Sequence, residues 1–457
     1  MQFKQIALAV AATLVAGHAA AAAVTQADVA AARSASTLQE TWLSGASAPT
    51  FNVFQGFALG CDAGSVAIFT NNATAGRPGS IGDYNAYACT RGGVVSVAYH
   101  TVAGGSFNAY APHVDGTQLQ RVKALDTASC SVTGSVTIGS TVYPVKANCN
   151  RLNPVTTSDN GPTLPAGGFS DVEAALFGFD VSSAGTEAQA NVGQVFGLAV
   201  STNLYRALQT AQGLSDVNAT TFDPANAPNL SSAQYTSIIA QGAAYQTDWS
   251  PILGAAGTGK KIVLARRVAT SGTQASSNAH FLKNPCNGDP AVQGLLAPAG
   301  AGDSVPGAFE VSEASGTSDV KVALTTANTN GHYAIGVISL ENDWRAETNA
   351  ARKEYRFLKL DGVHPEAGDV TYARAKALTG DYAFHMEMRN FVANSADSFG
   401  AALIPEITAS LGNPANCADV PRGLTLNPLG GSSCTAGVEV AKHTRFGNNC
   451  QATQLFF

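Results

Sequence analysis

Charged residues make up only 13% of the 457-residue chain, roughly half the ~25% of an average soluble domain. What charge there is nearly cancels: 26 Lys plus Arg against 32 Asp plus Glu leave −6. With no basic excess to neutralise a phosphate backbone, the composition argues against a nucleic-acid binder. An anion taken up by this chain must be held locally, by particular side chains and backbone dipoles. Beyond the first residues no stretch of about 18 apolar residues occurs, so no spanning helix and no stable membrane insertion is expected. Metal signatures are missing too. No C-x-x-C pair is present, and His100, His113, His280, His332, His364, His385 and His443 are scattered without H-E-x-x-H spacing. The absence of a G-x-S-x-G elbow weakens a serine hydrolase. The stretch Gly254 to Lys260 nearly spells a nucleotide loop, but Lys261 replaces the required Ser/Thr and a strand follows where a helix should open. A disordered acidic chain is excluded, because 45% of residues are apolar.

The beginning of the chain carries an address. Lys4 precedes an apolar run from Ile6 to Gly17, then His18 and the small residues Ala19 to Ala23. This is the order of a secretory signal peptide, expected over residues 1–23. The first cysteine is Cys61, too far on for a lipid anchor. A periplasmic or secreted protein is therefore expected. Its eight cysteines are Cys61, Cys89, Cys130, Cys149, Cys286, Cys417, Cys434 and Cys450, an even count that suits up to four disulfides. The β-branched stretch between Cys130 and Cys149 reads as a hairpin whose ends meet, which pairs those two. Cys61 with Cys89 and Cys434 with Cys450 are the next expected pairs, although spacing alone leaves the connectivity open.

Residues 25–43 read as a helix, and residues 56–150 as mostly strand and loop. From Ser170 onward helix and strand patterns alternate. Helices are expected over Ser170–Phe177, Thr202–Gln212, Ser231–Gly242 with Ser231 as N-cap, and Gly272–Leu282. Strands are expected at Val195–Val200, Lys261–Arg267 and Tyr333–Ser339. Such alternation indicates an α/β protein with largely parallel pairing.

Four segments can carry chemistry. The first is Arg267 to Thr273 (RVATSGT), between an apolar strand and a helix: Ser271 and Thr273 offer hydroxyls, Gly272 lets the backbone come close, and Arg267 offers a charged fork. Simple helix capping by Ser271 or Thr273 weighs evenly against anion binding. The second is Gly104, Gly105 and Ser106, able to form a backbone nest or a plain turn. The third is Ser170 and Asp171 after Gly168, where capping of a helix from Val172 is the simpler explanation when the segment stands alone. The fourth is the small-residue turn Leu43 to Thr50, with Ser47 and Thr50.

Taken in order, these segments resemble the phosphate-binding protein of bacterial phosphate ABC transporters, within the periplasmic binding protein type II superfamily. LSGASAPTF approximates that family's first loop, Gly104, Gly105 and Ser106 its Ser-Gly-Gly loop, and GFSD its G-A-S-D segment. The R-x-x-x-S-G-T segment is matched fully by Arg267, Ser271, Gly272 and Thr273, and Ala334 to Val337 is similar to the return strand. Pro49, the loose second loop and the eight cysteines mark a divergent branch. The resemblance implies a two-lobed α/β fold, with lobe one at residues 24–195 plus 331–457 and lobe two at 196–330. It implies inorganic phosphate or a similar oxyanion in the cleft, no catalysis, no cofactor, and an ABC transporter permease as a partner. The ligand set it implies is Ser47, Thr50, Gly105, Ser106, Ser170, Asp171, Arg267, Ser271, Gly272 and Thr273, with Asp171 accepting the proton of hydrogen phosphate. Two other classes compete: an extracellular phosphatase-like enzyme on the same scaffold, and an outer-membrane β-barrel, suggested by the signal peptide and the terminal Phe456 and Phe457.

Overall fold

A computed structural model describes residues 22–79, 82–126, 129–215, 222–241, 248–286, 296–411, 420–427 and 440–455. Most of the expected signal peptide, together with Cys417, Cys434 and the terminal Phe456–Phe457, lies outside the described residues. Among the described residues no helix is long and apolar enough to cross a membrane.

The chain builds a mixed α/β fold around one large sheet. Its strands are β1 (Gln39–Gly45), β2 (Ala67–Thr70), β3 (Tyr84–Arg91), β4 (Val94–Thr101), β5 (Cys130–Ile138), β6 (Thr141–Cys149), β7 (Gly167–Ser170), β8 (Gly185–Ser201), β9 (Ile262–Arg267), β10 (Phe309–Ala314), β11 (Tyr333–Ser339), β12 (Tyr355–Phe357), β13 (His385–Ala393) and β14 (Leu424–Leu426). The spatial order is β10-β9-β11-β8-β13-β7-β1-β4-β3-β2-β6-β5, with β12 and β14 also pairing with β8. The sheet is open, ending at β10 and β5. The helices used below are α1 (Gln26–Ser34), α2 (Thr50–Leu59), α3 (Thr202–Ala211), α4 (Ser232–Ile239), α5 (Gly272–Ser277), α6 (Thr317–Thr329) and α7 (Ser398–Leu411).

The expectation of largely parallel pairing is corrected. β1 runs parallel to β4 and β7, and β9 runs parallel to β10 and β11. The middle of the sheet, however, is antiparallel, because β8 opposes β11, β12, β13 and β14. One strand makes the junction. The first part of β8 pairs with β13 and β14, and its last part with β11 and β12. Val195, Phe196, Leu198, Ala199 and Val200 are all fully buried, on both faces of the strand. Each of these side chains apart from the smaller Ala199 contributes about 1.5–3 kcal/mol by leaving water.

Apolar cores lie on either side of this junction. One gathers Leu43, Phe54, Phe57, Tyr87, Leu403 and Ile404 under α2 and α7, while α1 covers Trp42, Val97 and Tyr99 through Val29. The other gathers Leu198, Leu204, Ile238, Leu264, Leu324 and Ile335, and also takes in Tyr355, Phe357 and Phe384. Residues 355–386 thus pack with the second core.

Local signals are reproduced where they were strong. Ser231 Oγ caps α4 by accepting from Gln234 N at 3.1 Å, and Gln234 Oε1 returns the bond to Ser231 N at 2.9 Å. The hairpin β5–β6 places Cys130 opposite Cys149, and both Cys130–Cys149 and Cys61–Cys89 are disulfides. Two local readings are corrected. The helix expected over 25–43 stops at Ser34, and Gln39–Gly45 is a strand because β4 and β7 offer it partners on both edges. Cys450 pairs with Cys286, 164 residues away, and not with Cys434; the turn Arg445–Cys450 is held beside β13 by Glu387, which accepts from Arg445 N and Gly447 N.

Candidate functional site

β9 is buried along its whole length and apolar from Ile262 to Ala265, as suits a strand with parallel neighbours on both edges. It delivers Arg267 at its end. A turn follows, closed by Ser271 N–H donating to Val268 O at 3.0 Å, and α5 then begins at Gly272. Ser271 is buried, yet its hydroxyl does not cap the helix; its carbonyl accepts from Gln274 N and Ala275 N at 3.0 Å each. The plain capping role is thereby ruled out for Ser271. The N–H groups of a helix's first turn have no partner within the helix.

From the other half of the sheet β7 ends at Ser170, and Asp171 follows. The helix expected from Ser170 is a short 3₁₀ turn, Ala174–Phe177, entered through Glu173. Asp171 caps nothing there. Its Oδ2 accepts from Ser106 Oγ at 2.9 Å, and the same Oγ accepts from Asp171 N at 3.3 Å. Asp171 Oδ1 is buried and has no hydrogen-bond partner. Ser106 opens a 3₁₀ turn after Gly105, whose φ of 90° belongs to the left-handed region that glycine adopts without strain.

These two segments meet. Phe107 N donates to Thr270 O at 3.0 Å, and Thr270 Oγ1 donates to Gly104 O at 3.0 Å. A Cβ on Gly105 would lie 3.0 Å from Ser271 Cα. A Cβ on Gly272 would overlap Ser106 Oγ and stand 2.5 Å from Asp171 Oδ2. The glycines are what let the backbones come this close.

Arg267 lies behind the junction, buried with 7% exposure. Its Nη1 donates to Thr317 Oγ1 at 3.0 Å and its Nη2 to Ser315 O at 2.9 Å, leaving Nε buried without a partner. Burial pulls its affinity for the proton down, while the carboxylates of Asp171, Asp319, Glu341 and Asp83 act the other way. Asp171 is pushed up to about 7, chiefly by burial and then by Glu341, with Ser106 and Arg267 opposing. A carboxylate that titrates near neutrality in a buried, polar junction is a mark of functional sites.

No protein-family model matches the chain, and no curated protein matches it. Among solved structures it is similar to a protein from Clostridium perfringens, crystallised with bound phosphate and provisionally assigned as a phosphate ABC transporter substrate-binding protein. That likeness has a TM-score of 0.36 at 11% identity, over 81% of this chain and 93% of that one. A second likeness is to an ABC-type phosphate transport receptor from Vibrio cholerae, with a TM-score of 0.27 and 16% identity, over 52% of this chain and 72% of that one.

The junction brings together Gly105, Ser106, Asp171, Arg267, Ser271, Gly272 and, in the first turn of α5, the buried Thr273. The remaining expected residues are used differently. Ser170 Oγ donates to Val172 O at 2.5 Å, holding the bend that presents Asp171. Thr50 Oγ1 donates to Ser47 O at 2.6 Å, and Ser47 itself is exposed. Their loop is tied to the Asp171 strand through Ala46 N–H donating to Phe169 O at 2.7 Å. Sequence reasoning missed Ser315 and Thr317, which orient the Arg267 fork. The run Ser315-Gly316-Thr317, which opens α6, repeats the Ser-Gly-Thr pattern and could have flagged both.

Alanine at Gly272 is expected to destabilise this junction by about 1–3 kcal/mol, the usual cost of forcing an extra methyl into a packed site. Denaturant midpoints of the native and Gly272→Ala chains provide the check. An unchanged midpoint would show that the two segments do not close on each other in solution.

Proposed function

We propose that this chain is an exported solute-binding protein that takes phosphate or a similar tetrahedral oxyanion between Arg267 and Asp171. One observation carries the reading. A buried guanidinium and a buried carboxylate face one junction, and each keeps an unsatisfied atom, Nε and Oδ1, while their other bonds go to Ser315, Thr317 and Ser106. Several other arginines among the described residues also keep a buried Nε without a hydrogen-bond partner, so the weight falls on Asp171 Oδ1, an orphaned acceptor that a hydrogen-bearing ligand would satisfy. A hydrogen-bearing oxyanion offers that hydrogen to Asp171 and its negative charge to the Arg267 guanidinium. The N–H groups at the start of α5 add positive potential on the same side, and the parallel strands β9 and β11 aim their carboxyl ends at it, where open sheets bind ligands.

In this reading the chain acts as two lobes, residues 24–195 with 331–457 and residues 196–330, with Ala334–Met386 packed on the second core. The bonds between Gly104–Phe107 and Thr270 belong to the closed state. Delivery to an ABC transporter permease is the partnership that such a role implies. Isothermal titration of the purified protein with phosphate, arsenate and sulfate tests the proposal. Heat is expected for phosphate and arsenate; heat indistinguishable from buffer for all three anions removes it.

A further inference from the structure

Two of the disulfides among the described residues, Cys61–Cys89 and Cys130–Cys149, lie within residues 24–195. Cys286–Cys450 is of another kind, because it crosses between distant parts of the chain. Cys286 follows the turn Asn278–Leu282 that continues α5, and it packs against the second core. The first turn of the same α5 borders the Asp171 junction. Cys450 ends a turn that grips the other side.

That grip is made by buried polar groups. Asn449 donates from its backbone N to Glu173 Oε1 at 2.7 Å and from Nδ2 to Glu173 Oε2 at 2.6 Å. Glu173 stands two residues beyond Asp171. The same turn holds β13: Glu387 Oε1 accepts from Arg445 N at 2.7 Å, Glu387 Oε2 accepts from Gly447 N at 2.6 Å, and Asn449 Oδ1 accepts from Glu387 N at 2.7 Å. Glu173, Glu387, Arg445 and Asn449 are all buried. Pulling the turn away would leave two buried carboxylates short of donors, which costs more than the bonds themselves contribute.

The place of the grip matters. Glu387 stands opposite Gly193 of β8, and the register between β8 and β13 shifts between Gln189 and Gly193. Such an irregularity bends the strand that carries it, and β8 is the strand that joins the two halves of the sheet. The turn is thus fastened at the bend, to the Asp171 segment through Asn449 and to the α5 segment through the disulfide.

We propose that the turn Arg445–Cys450 is a strap across the junction of the two lobes, and that its disulfide to Cys286 limits how far the Asp171 and α5 segments can part. This rests on the two-lobe reading above and adds what restrains its opening.

The test is amide hydrogen exchange of the whole chain without phosphate, read peptide by peptide by mass spectrometry. The Phe107 N–H, which donates to Thr270 O across the junction, reports opening, while β3 and β11, in different cores, report unfolding. In Cys286→Ser/Cys450→Ser the Phe107 peptide is expected to exchange about tenfold faster or more, with β3 and β11 unchanged. Asn449→Ala, which keeps the disulfide and loses the side-chain bonds to Glu173 and Glu387, is expected to move the same way. Equal exchange at Phe107 in native protein and the double variant overturns the strap. Equal acceleration of all three segments also overturns it, because that is a plain loss of stability. Should the double variant not fold, Asn449→Ala decides by the same comparison. Adding inorganic phosphate to native protein tests the other reading separately. Slower Phe107 exchange is expected, and no change with phosphate overturns the phosphate reading while the ligand-free comparison still decides the strap.

Discussion

Replacing Arg267 by alanine is expected to weaken phosphate binding by about 2–5 kcal/mol, roughly 30- to 5,000-fold. The magnitude follows from burial. The guanidinium is shielded from water and from screening salt, and its hydrogen bonds go to Ser315 and Thr317, neither of them a carboxylate. Without it the anion would face the Asp171 carboxylate with no buried cation to offset the repulsion. Arg267→Lys separates charge from geometry. A lysine retains the positive charge but not the planar fork that reaches Ser315 and Thr317, so it should recover only part of the loss. Titration of both variants, with near-ultraviolet circular dichroism to confirm the fold, checks the prediction. Unchanged affinity in Arg267→Ala would place the site elsewhere.

The second large effect is on selectivity. Native protein is expected to prefer phosphate over sulfate by about a thousandfold or more, because sulfate brings no hydrogen for the buried Asp171 Oδ1 and adds two negative charges beside it. Asp171→Asn should narrow that gap, since an amide can donate to sulfate as well as accept from phosphate. The pH dependence has the same origin. In the free protein Asp171 titrates at about 7. Below that value it is increasingly protonated and able to donate, so sulfate should gain on phosphate as pH falls. Above it the carboxylate is bare and the preference for phosphate should be widest. Competition titrations of both anions against both proteins measure this. Equal phosphate-to-sulfate ratios before and after the substitution would limit Asp171 to its bond with Ser106.

The two halves of the site differed in how legible they were. Arg267, Ser271, Gly272 and Thr273 could be read directly because seven consecutive residues hold the strand end, the turn and the helix start. Their geometry is local, and the apolar strand before them had one favourable burial. The Cys130–Cys149 hairpin and the Ser231 cap are of the same kind: the groups that interact are close in sequence, so spacing constrains them. Asp171 was a candidate, but its role was ambiguous. Ser-Asp before an apolar run suits a cap better when it stands alone, and only the tertiary structure shows Asp171 bonded to Ser106, 65 residues earlier, with the following turn entered through Glu173.

What sequence alone determined about this protein is therefore its scarcity of charge, its α/β class, the strand–turn–helix segment around Arg267–Thr273 and the hairpin that sets Cys130 opposite Cys149. The tertiary structure decided the rest. Gln39–Gly45 became a strand because β4 and β7 supply hydrogen bonds that its own residues do not specify. Cys450 met Cys286 because β13 and Glu387 position the turn that carries it. Ser106 met Asp171, and Gly105 met Ser271, because the strands that carry them belong to one sheet whose two halves β8 joins. Non-local pairing is set by which surfaces bury each other across the whole chain, and no window of sequence contains that information.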